Sequence, residues 1–472
     1  MLFVRRPVAA HTLKPWQHEA LDYAIPRKRI ALFMEMRLGK TPVSIRWTKA
    51  RGAQRVLLVA PLSTLLGQLN WQGELNREGI HPVMLSQIPT NDRMAAVRPS
   101  SIASGSWRRW WARGWFCVNY EALRTQPELL AGPWDAIILD ESTRIRNPKA
   151  QVTKLLLNHT SHVPMRALLS GLPNPESAMD YFCQFKFRDG HFLHYDNFWA
   201  FKQAHYYQGW TSWDWRLKKK ALGKIRDYIH NESFTLTRKE AGVGSTKHRE
   251  QRSVQLNATQ RQIMKQVRRD FAVDETETKW VPVTHMWLQR LAGGFHPITH
   301  ELVNDSKIRL VEELLVDQFR KQPVVIWFKF TAEILAVAKW LKQRTKIKFE
   351  TVHGATPKSD RPQIQERFQE GSTQVVLLQV KLGRYGWNLS RSNTALYYSN
   401  TYEFEDRSQS EDRIIHLTKK TPCLYIDLVT MGTPDEEVVA ALGDKRLNAR
   451  IFNMRLHKAV SRYGYIPRRM AA

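Results

Sequence analysis

The segment MEMRLGKT, Met34 to Thr41, constrains this chain more than any other. It lies between an apolar run, Arg29-Ile30-Ala31-Leu32-Phe33, and a helix start at Pro42. A Gly-Lys-Thr in that setting forms a loop that can cradle a nucleotide. Gly39 lets backbone NH groups close around phosphate oxygens, Lys40 neutralises the outer phosphates, and the Thr41 hydroxyl can ligate Mg2+. Pro42 suits a first helical turn, where its missing NH costs nothing. The bare tripeptide turns up in many unrelated loops, so the strand-loop-helix setting carries the reading.

At 472 residues the chain is too long for one core and reads as two or three domains. Its 72 Lys and Arg against 44 Asp and Glu leave a formal charge of +28. Self-repulsion on that scale points to a polyanionic partner, nucleic acid ahead of anionic membrane. Most of the 17 Trp belong in cores, although flat rings beside Arg and Lys can stack on bases. The three cysteines, Cys117, Cys183 and Cys423, are far apart and fit neither a disulfide framework nor a zinc site. A reducing cytoplasm is expected. The amino terminus lacks a signal-peptide core, and the longest apolar stretch, Val324 to Leu341, is broken by Lys329, Glu333 and Lys339, so a soluble protein is expected.

Leu13 to Tyr23 reads as an amphipathic helix carrying Gln17, either an adenine reader or a solvated helix residue. A buried strand follows at Arg55 to Ala60. SWRRWWARGW, residues 106–115, is either an inward-packing helix or a stacking surface, with packing the better fit. In WDAIILDES, four apolar residues deliver Asp140 and Glu141 to the carboxyl end of a strand, where open α/β sheets place ligands. One acid can hold Mg2+ through water while its neighbour orients or activates a water. Successive strand-helix units, the last strand ending in Ser170-Gly171-Leu172-Pro173, argue for a doubly wound parallel sheet. Residues from about 177 to 247 turn aromatic and basic and read as a mostly helical insertion, with Lys218-Lys219-Lys220 as a solvated face. Pro282 and Gly293-Gly294 mark hinge or linker positions. The second half repeats the α/β pattern without a phosphate loop and closes on a helix that opens at Thr433-Pro434-Asp435-Glu436 with a capping box.

Taken together, these segments resemble superfamily-two helicase motors of the Swi/Snf type, which translocate on double-stranded DNA. LKPWQHEAL is similar to the family's glutamine motif, EMRLGKT to motif I, VAPLSTLLGQ to motif Ia, ILDES to motif II and LLSGLPNPES to motif III. More specific to the branch are FTLTRKEAGV, QLNATQRQIMKQV, DSKIRLVEELL and LVTMGTPDEEVV. The resemblance implies an α/β fold of two RecA-like, doubly wound parallel-sheet lobes, residues 1–175 and 306–472, with a helical insertion in the first over 176–250 and a helical connector over 251–305.

The resemblance also implies roles for particular residues. Gln17 reads adenine; Gly39, Lys40 and Thr41 hold phosphates and Mg2+; Asp140 is the metal-side acid and Glu141 the water-activating one. Ser63 in motif Ia, His353 and Gly354 in VHGAT, and Gln379 and Lys381 in QVKLGRYGWNL face a nucleic-acid backbone. Gly386 faces the nucleotide, Gln409 lies near the γ-phosphate, and Arg413 is an arginine finger. Two positions depart from the family pattern: Arg37 stands where glycine is usual, and His416 stands where motif VI carries a second arginine. An arginine finger is worth on the order of 10³ to 10⁵ in rate. A neutral histidine supplies no such charge. The expected function is an ATP- and Mg2+-dependent motor on duplex or forked DNA, acting as a monomer in replication, recombination or fork remodelling, in the manner of compact bacterial or phage motors. Strand-separating DNA or RNA helicases, and a DNA-binding scaffold with a degenerate ATPase, remain alternatives.

Overall fold

The computed structural model describes residues 12–66, 70–97, 113–174, 177–209, 215–270, 272–273, 276–277, 281–357, 359–383 and 386–444. They divide into two compact units, one ending at Gly242 and the other running over Val243–Leu447.

The first unit carries β1 (Arg29–Met34), β2 (Arg55–Ala60), β3 (Val83–Met84), β4 (Gly114–Asn119), β5 (Ala136–Asp140), β6 (Met165–Leu169), β7 (Tyr206–Gln208), β8 (Trp215–Leu217) and β9 (Phe234–Leu236). Seven of these form one sheet in the order β3-β4-β2-β5-β6-β1-β9, with every neighbouring pair parallel. Parallel neighbours require crossover connections, and helices such as Lys40–Ala50 and Gln151–His159 supply them. The central strands are buried on both faces, which is why each reads as an unbroken apolar run in the sequence. Register aligns Leu32 of β1 with Leu169 of β6, and Leu169 with Asp140 of β5, so the segments leaving these strands emerge together.

The insertion does not form a separate body. Phe182, Phe185, Phe192, Phe201, Ile225 and Ile229 share one apolar cluster with Ala31, Phe33 and Leu139 of the sheet. Each fully buried ring or aliphatic side chain there contributes about 1.5–3 kcal/mol relative to exposure. Besides the helices Tyr181–Asp189, Phe198–His205 and Lys219–Glu232, the insertion contains the antiparallel hairpin β7–β8. It then returns to the sheet, with β9 pairing with β1 as an edge strand. The first unit therefore extends well past residue 175, and the strand β10 (Lys247–Val254) is already part of the second unit's sheet. Periodicity misses both strands for a physical reason. β9 has three residues, and the polar edge strand KHREQRSV derives its strand geometry from pairing rather than from burial. The Trp-rich run through residue 112 lies outside the described residues, whereas Trp115 in β4 is buried.

The second unit adds β11 (Ala272–Val273), β12 (Thr276–Glu277), β13 (Val324–Phe328), β14 (Phe349–Val352), β15 (Val375–Gln379), β16 (Thr394–Tyr397) and β17 (Cys423–Thr430). Its main sheet, β10-β17-β16-β13-β15-β14, is again parallel throughout. Val324, Ile326 and Phe328 pack into one face's core, and Val325 and Trp327 into the other's, as the period of two requires.

Polar pins hold this unit's helices. Lys307 pairs with Asp435 at 2.6 Å, both buried, and Asp435 also accepts from the Thr430 NH at 3.1 Å. This pairing joins the helix Ser306–Glu313 to the helical stretch 434–444. Arg407 lies fully buried 3.4 Å above the Tyr397 ring and bonds to Asn400, Glu411 and Asp427. Lys247 and Arg249 of β10 also pair with Glu411.

Glu333 is also fully buried. Its carboxylate accepts from Ser399 and from the Phe330 NH, while among the described residues its second oxygen has no partner. Burial pushes its pKa up to about 7. Because the folded value lies above the unfolded one, its contribution is fully present below about pH 4.3 and is lost as pH rises through about 7. The loss is on the order of 3 kcal/mol. Glu333→Gln is expected to raise the melting temperature relative to wild type at pH 8 and to lose that advantage at pH 4.5, as read by calorimetry across that range.

Candidate nucleotide site

The loop after β1 is shaped by its glycine and by what packs behind it. Gly39 caps the helix Lys40–Ala50 in the left-handed region, at φ 88°. A Cβ there would lie 1.8 Å from the Gln17 amide nitrogen. Gln17 reaches this position from the helix Pro15–Ala24, with its amide oxygen accepting from the Lys14 NH at 2.8 Å and its amide nitrogen donating to the Leu38 carbonyl at 3.0 Å. The helix begins at Lys40, so Pro42 sits within its first turn. Arg37 also adopts a positive φ, 70°. That conformation explains why glycine is usual there, and it costs a residue with a Cβ roughly 1–2 kcal/mol.

Lys40 is buried and donates to the Met34 carbonyl at 2.8 Å, which holds its ammonium inside the loop's curve. The Thr41 side chain is half-buried at the start of the same helix. Asp140 ends β5 with its carboxylate nearly out of water. It accepts from the Trp71 indole NH at 2.8 Å and from the Thr64 hydroxyl, while the Tyr120 hydroxyl donates to its backbone carbonyl at 2.8 Å. Burial pushes the Asp140 carboxyl above the ordinary carboxylate range; the Trp71 bond and the Lys40 charge pull it back. Glu141 follows in the left-handed conformation, φ 50° and ψ 55°, a costly backbone for a glutamate that redirects the chain at the strand end. Ser142 bonds to Gln184 at 2.6 Å, and Gln184 donates to the Pro173 carbonyl at 2.7 Å, linking the segments after β5 and β6.

These features suit a magnesium nucleotide. A left-handed glycine, a buried ammonium held in the loop, a neighbouring hydroxyl and a carboxylate already short of water form the donor set such a group needs. Among the described residues no cluster of three or more His, Cys, Asp or Glu is placed to hold a metal by itself.

Several contributors were not apparent from sequence motifs alone. Trp71 and Thr64 hold Asp140 from the segment following β2, where half-buried Ser63 lies. Arg238, in the stretch after β9, holds Glu35 at the mouth of the loop. Its Nε lies 3.0 Å, and its NH 3.1 Å, from Glu35 Oε2. The run FTLTRKEAGV was legible as a motif, but not as the brace of the phosphate loop.

In the second unit, β14 and β15 end side by side, with Val352 registered on Leu378, so His353, just after β14, and Gln379, the last residue of β15, lie at one end of the sheet. Gln379 donates to the Lys329 carbonyl at 3.4 Å, the exposed Lys381 follows, and Gly354 is exposed with open space around it. His353 Nδ1 is buried without a partner among the described residues. Lys329 joins this edge after β13, and burial lowers its pKa; the only sequence signal for it was a lysine ending an apolar run. Arg413 is buried and donates to the Gly383 carbonyl at 2.8 Å. That carbonyl is fixed by close packing, since a Cβ on Gly383 would meet the Trp327 ring at 2.3 Å. Gln409 bonds to Glu405 at 3.2 Å, and Gly386 has φ 57°. His416 is exposed and bonds to the Thr418 hydroxyl at 2.8 Å.

The sequence profile of the SNF2-related domain matches residues 16–289, and that of the helicase conserved C-terminal domain matches residues 306–417. The chain thus belongs to the SNF2-related family, the Swi/Snf branch of the superfamily-two ATPases, and its two parallel α/β units are RecA-like lobes. It is similar to the Protein CHROMATIN REMODELING 24 of Arabidopsis thaliana, 22% identical over 91% of this chain and 45% of that protein. It is also similar to the putative ATP-dependent helicase/translocase YwqA of Bacillus subtilis, 21% identical over 93% of this chain and 49% of that protein. The chain spans less than half the length of either relative. The Sulfolobus solfataricus SWI2/SNF2 ATPase core, solved in complex with dsDNA, aligns over 97% of this chain and 98% of its own at a TM-score of 0.44 and 16% identity. Among the described residues, no helix is long and apolar enough to cross a membrane.

The bond to the Asp140 carboxylate sets an expectation for Trp71. Hydrogen bonds to charged groups are worth about 1.5–3 kcal/mol and neutral ones about 1 kcal/mol. Trp71→Phe should therefore destabilise the first unit more than Trp134→Phe, whose buried indole donates to the Leu129 carbonyl at 2.7 Å. Urea titrations of both variants would read the difference.

Proposed function

We propose that the chain is an ATP-driven motor that translocates on double-stranded DNA. The observation that carries this reading is the placement of buried Lys40, in the loop after β1, and buried Asp140, at the end of β5, at strand ends that register brings to one edge of a lobe whose sequence matches the SNF2-related domain. In this reading Gln17 recognises adenine, while Gly39, Lys40 and Thr41 hold the phosphates. Thr41 and Asp140 would hold Mg2+, which when bound neutralises phosphate charge. Glu141 orients the attacking water and takes its proton. Gln409 and Arg413 serve the γ-phosphate, with Gly386 beside the nucleotide; His416 stands where a second arginine would add charge. Arg413 would exchange its bond to the Gly383 carbonyl for an anionic partner.

Ser63, His353, Gly354, Gln379 and Lys381 would grip the phosphate backbone of one strand. The charge of +28 supports a polyanionic track. Replication, recombination or fork remodelling would use such a motor, acting as a monomer on duplex or forked DNA in the cytoplasm of a bacterial or phage-infected cell.

The test is steady-state ATP hydrolysis without polymer and with single-stranded DNA, blunt duplex, forked duplex or RNA. Duplex should stimulate turnover most, and Glu141→Gln should reduce it by at least about 10²-fold. Preference for single strands or RNA would favour strand separation, and ATP binding without turnover on any polymer would favour a scaffold. The backbone grip makes a second expectation: the log of the duplex binding constant should fall with log salt at a slope of about −0.9 per phosphate contacted. Lys381→Gln should make that slope shallower by about one contact. Filter binding across a salt series measures both.

A further inference from the structure

The insertion of the first unit carries a ring and cation arrangement that the nucleotide site does not use. Trp199, in the helix Phe198–His205, keeps 52% of its surface exposed. Lys202, one turn on, places its ammonium 5.0 Å over the Trp199 ring and 3.9 Å over the Trp215 ring of β8. Phe198 meets Trp199 edge-on at 5.8 Å and is itself anchored edge-on to the core residue Phe182 at 5.4 Å. The Trp199 ring thus has Phe198 and Lys202 as neighbours while half of its surface faces solvent. A single exposed ring is common on a protein surface, but this one has ammonium groups beside it. Lys149 is close enough for its charge to act on Lys202, and Lys218 caps the end of the same helix through the Gln203 and Ala204 carbonyls at 2.9 and 3.0 Å.

We propose that Trp199 is a stacking platform for an unpaired nucleobase, with Lys202 and Lys149 holding the adjoining phosphates. A flat ring held at an angle and flanked by ammonium groups matches both parts of a single-stranded nucleotide, the π-face and the anion. A paired base inside a duplex cannot offer its face to such a ring, so this site selects single-stranded arms at a junction rather than the duplex track. The inference rests on the nucleic-acid reading above and adds a second contact to it. Tyr207, 50% exposed, is registered opposite Arg216, one position out of phase with Trp215, and so belongs to the other face of the β7–β8 ribbon. It provides an internal control.

The experiment uses the full chain and fluorescein-labelled DNA of equal duplex length, either blunt or ending in two single-stranded arms. An arm carrying 2-aminopurine reports stacking through quenching. Trp199→Ala is expected to weaken binding to the forked substrate about tenfold and to abolish the quenching, while blunt-duplex affinity stays within about twofold. Trp199→Tyr should retain most of the forked affinity, and Tyr207→Ala should behave as wild type on both substrates. Equal loss on blunt and forked DNA, or no change on either, overturns the proposal. Failure of the unaltered protein to bind blunt duplex would instead count against the motor reading, so the two failures are distinguishable.

Discussion

Every strand of both large sheets runs parallel to its neighbours, and the rest of the structure follows from that constraint. Parallel pairing forces a crossover after each strand, buries both sheet faces under helices and releases all the strand-following segments at one edge. Met34 to Thr41, Asp140-Glu141 and Ser170 to Pro173 therefore emerge beside one another, although more than a hundred residues separate the first from the last. In the second unit the same rule gathers Lys329, His353 and Gln379. Polar chemistry at such an edge lies against a dry core, so each charged group must be held by others. Asp140 has Trp71, Thr64 and the Lys40 charge; Arg407 has Asn400, Glu411 and Asp427.

The stretches that distinguish the Swi/Snf branch from other helicases act here as braces. Arg238 in FTLTRKEAGV locks Glu35 at the mouth of the phosphate loop. Lys307 in DSKIRLVEELL and Asp435 in LVTMGTPDEEVV form one buried pair. Removing one partner from such a pair strands a charge in the core at a cost of about 3–5 kcal/mol. These residues hold the loop after β1 and the second lobe's helices in place, and a reading confined to catalytic chemistry overlooks them.

Much of the core was legible in advance because buried parallel strands are continuous apolar runs. Arg55–Ala60 falls where the pattern places it. The strand-loop-helix around Gly39-Lys40-Thr41 and the strand that ends at Asp140 were legible because residue type and spacing mark them. What escaped was set by pairing rather than by composition. β9 and β10 are edge strands whose polar or brief sequences show no period, so the expected insertion, drawn to 250, runs across the start of β10. Trp71 holds Asp140 from 69 positions away, and no local pattern marks an indole NH as donor rather than filler. His416 was legible as a departure from the family pattern; its exposed bond to Thr418 could be seen only in three dimensions.

Movement along duplex DNA without strand separation is the central claim, and displacement of a triplex-forming oligonucleotide from a blunt duplex tests it most directly. With ATP and Mg2+, the intact chain should displace the third strand while the underlying duplex stays paired, and Lys40→Ala should leave the triplex in place. Displacement that is unchanged without ATP, or duplex unwinding at the same rate as third-strand release, would contradict the proposal that this chain translocates on double strands.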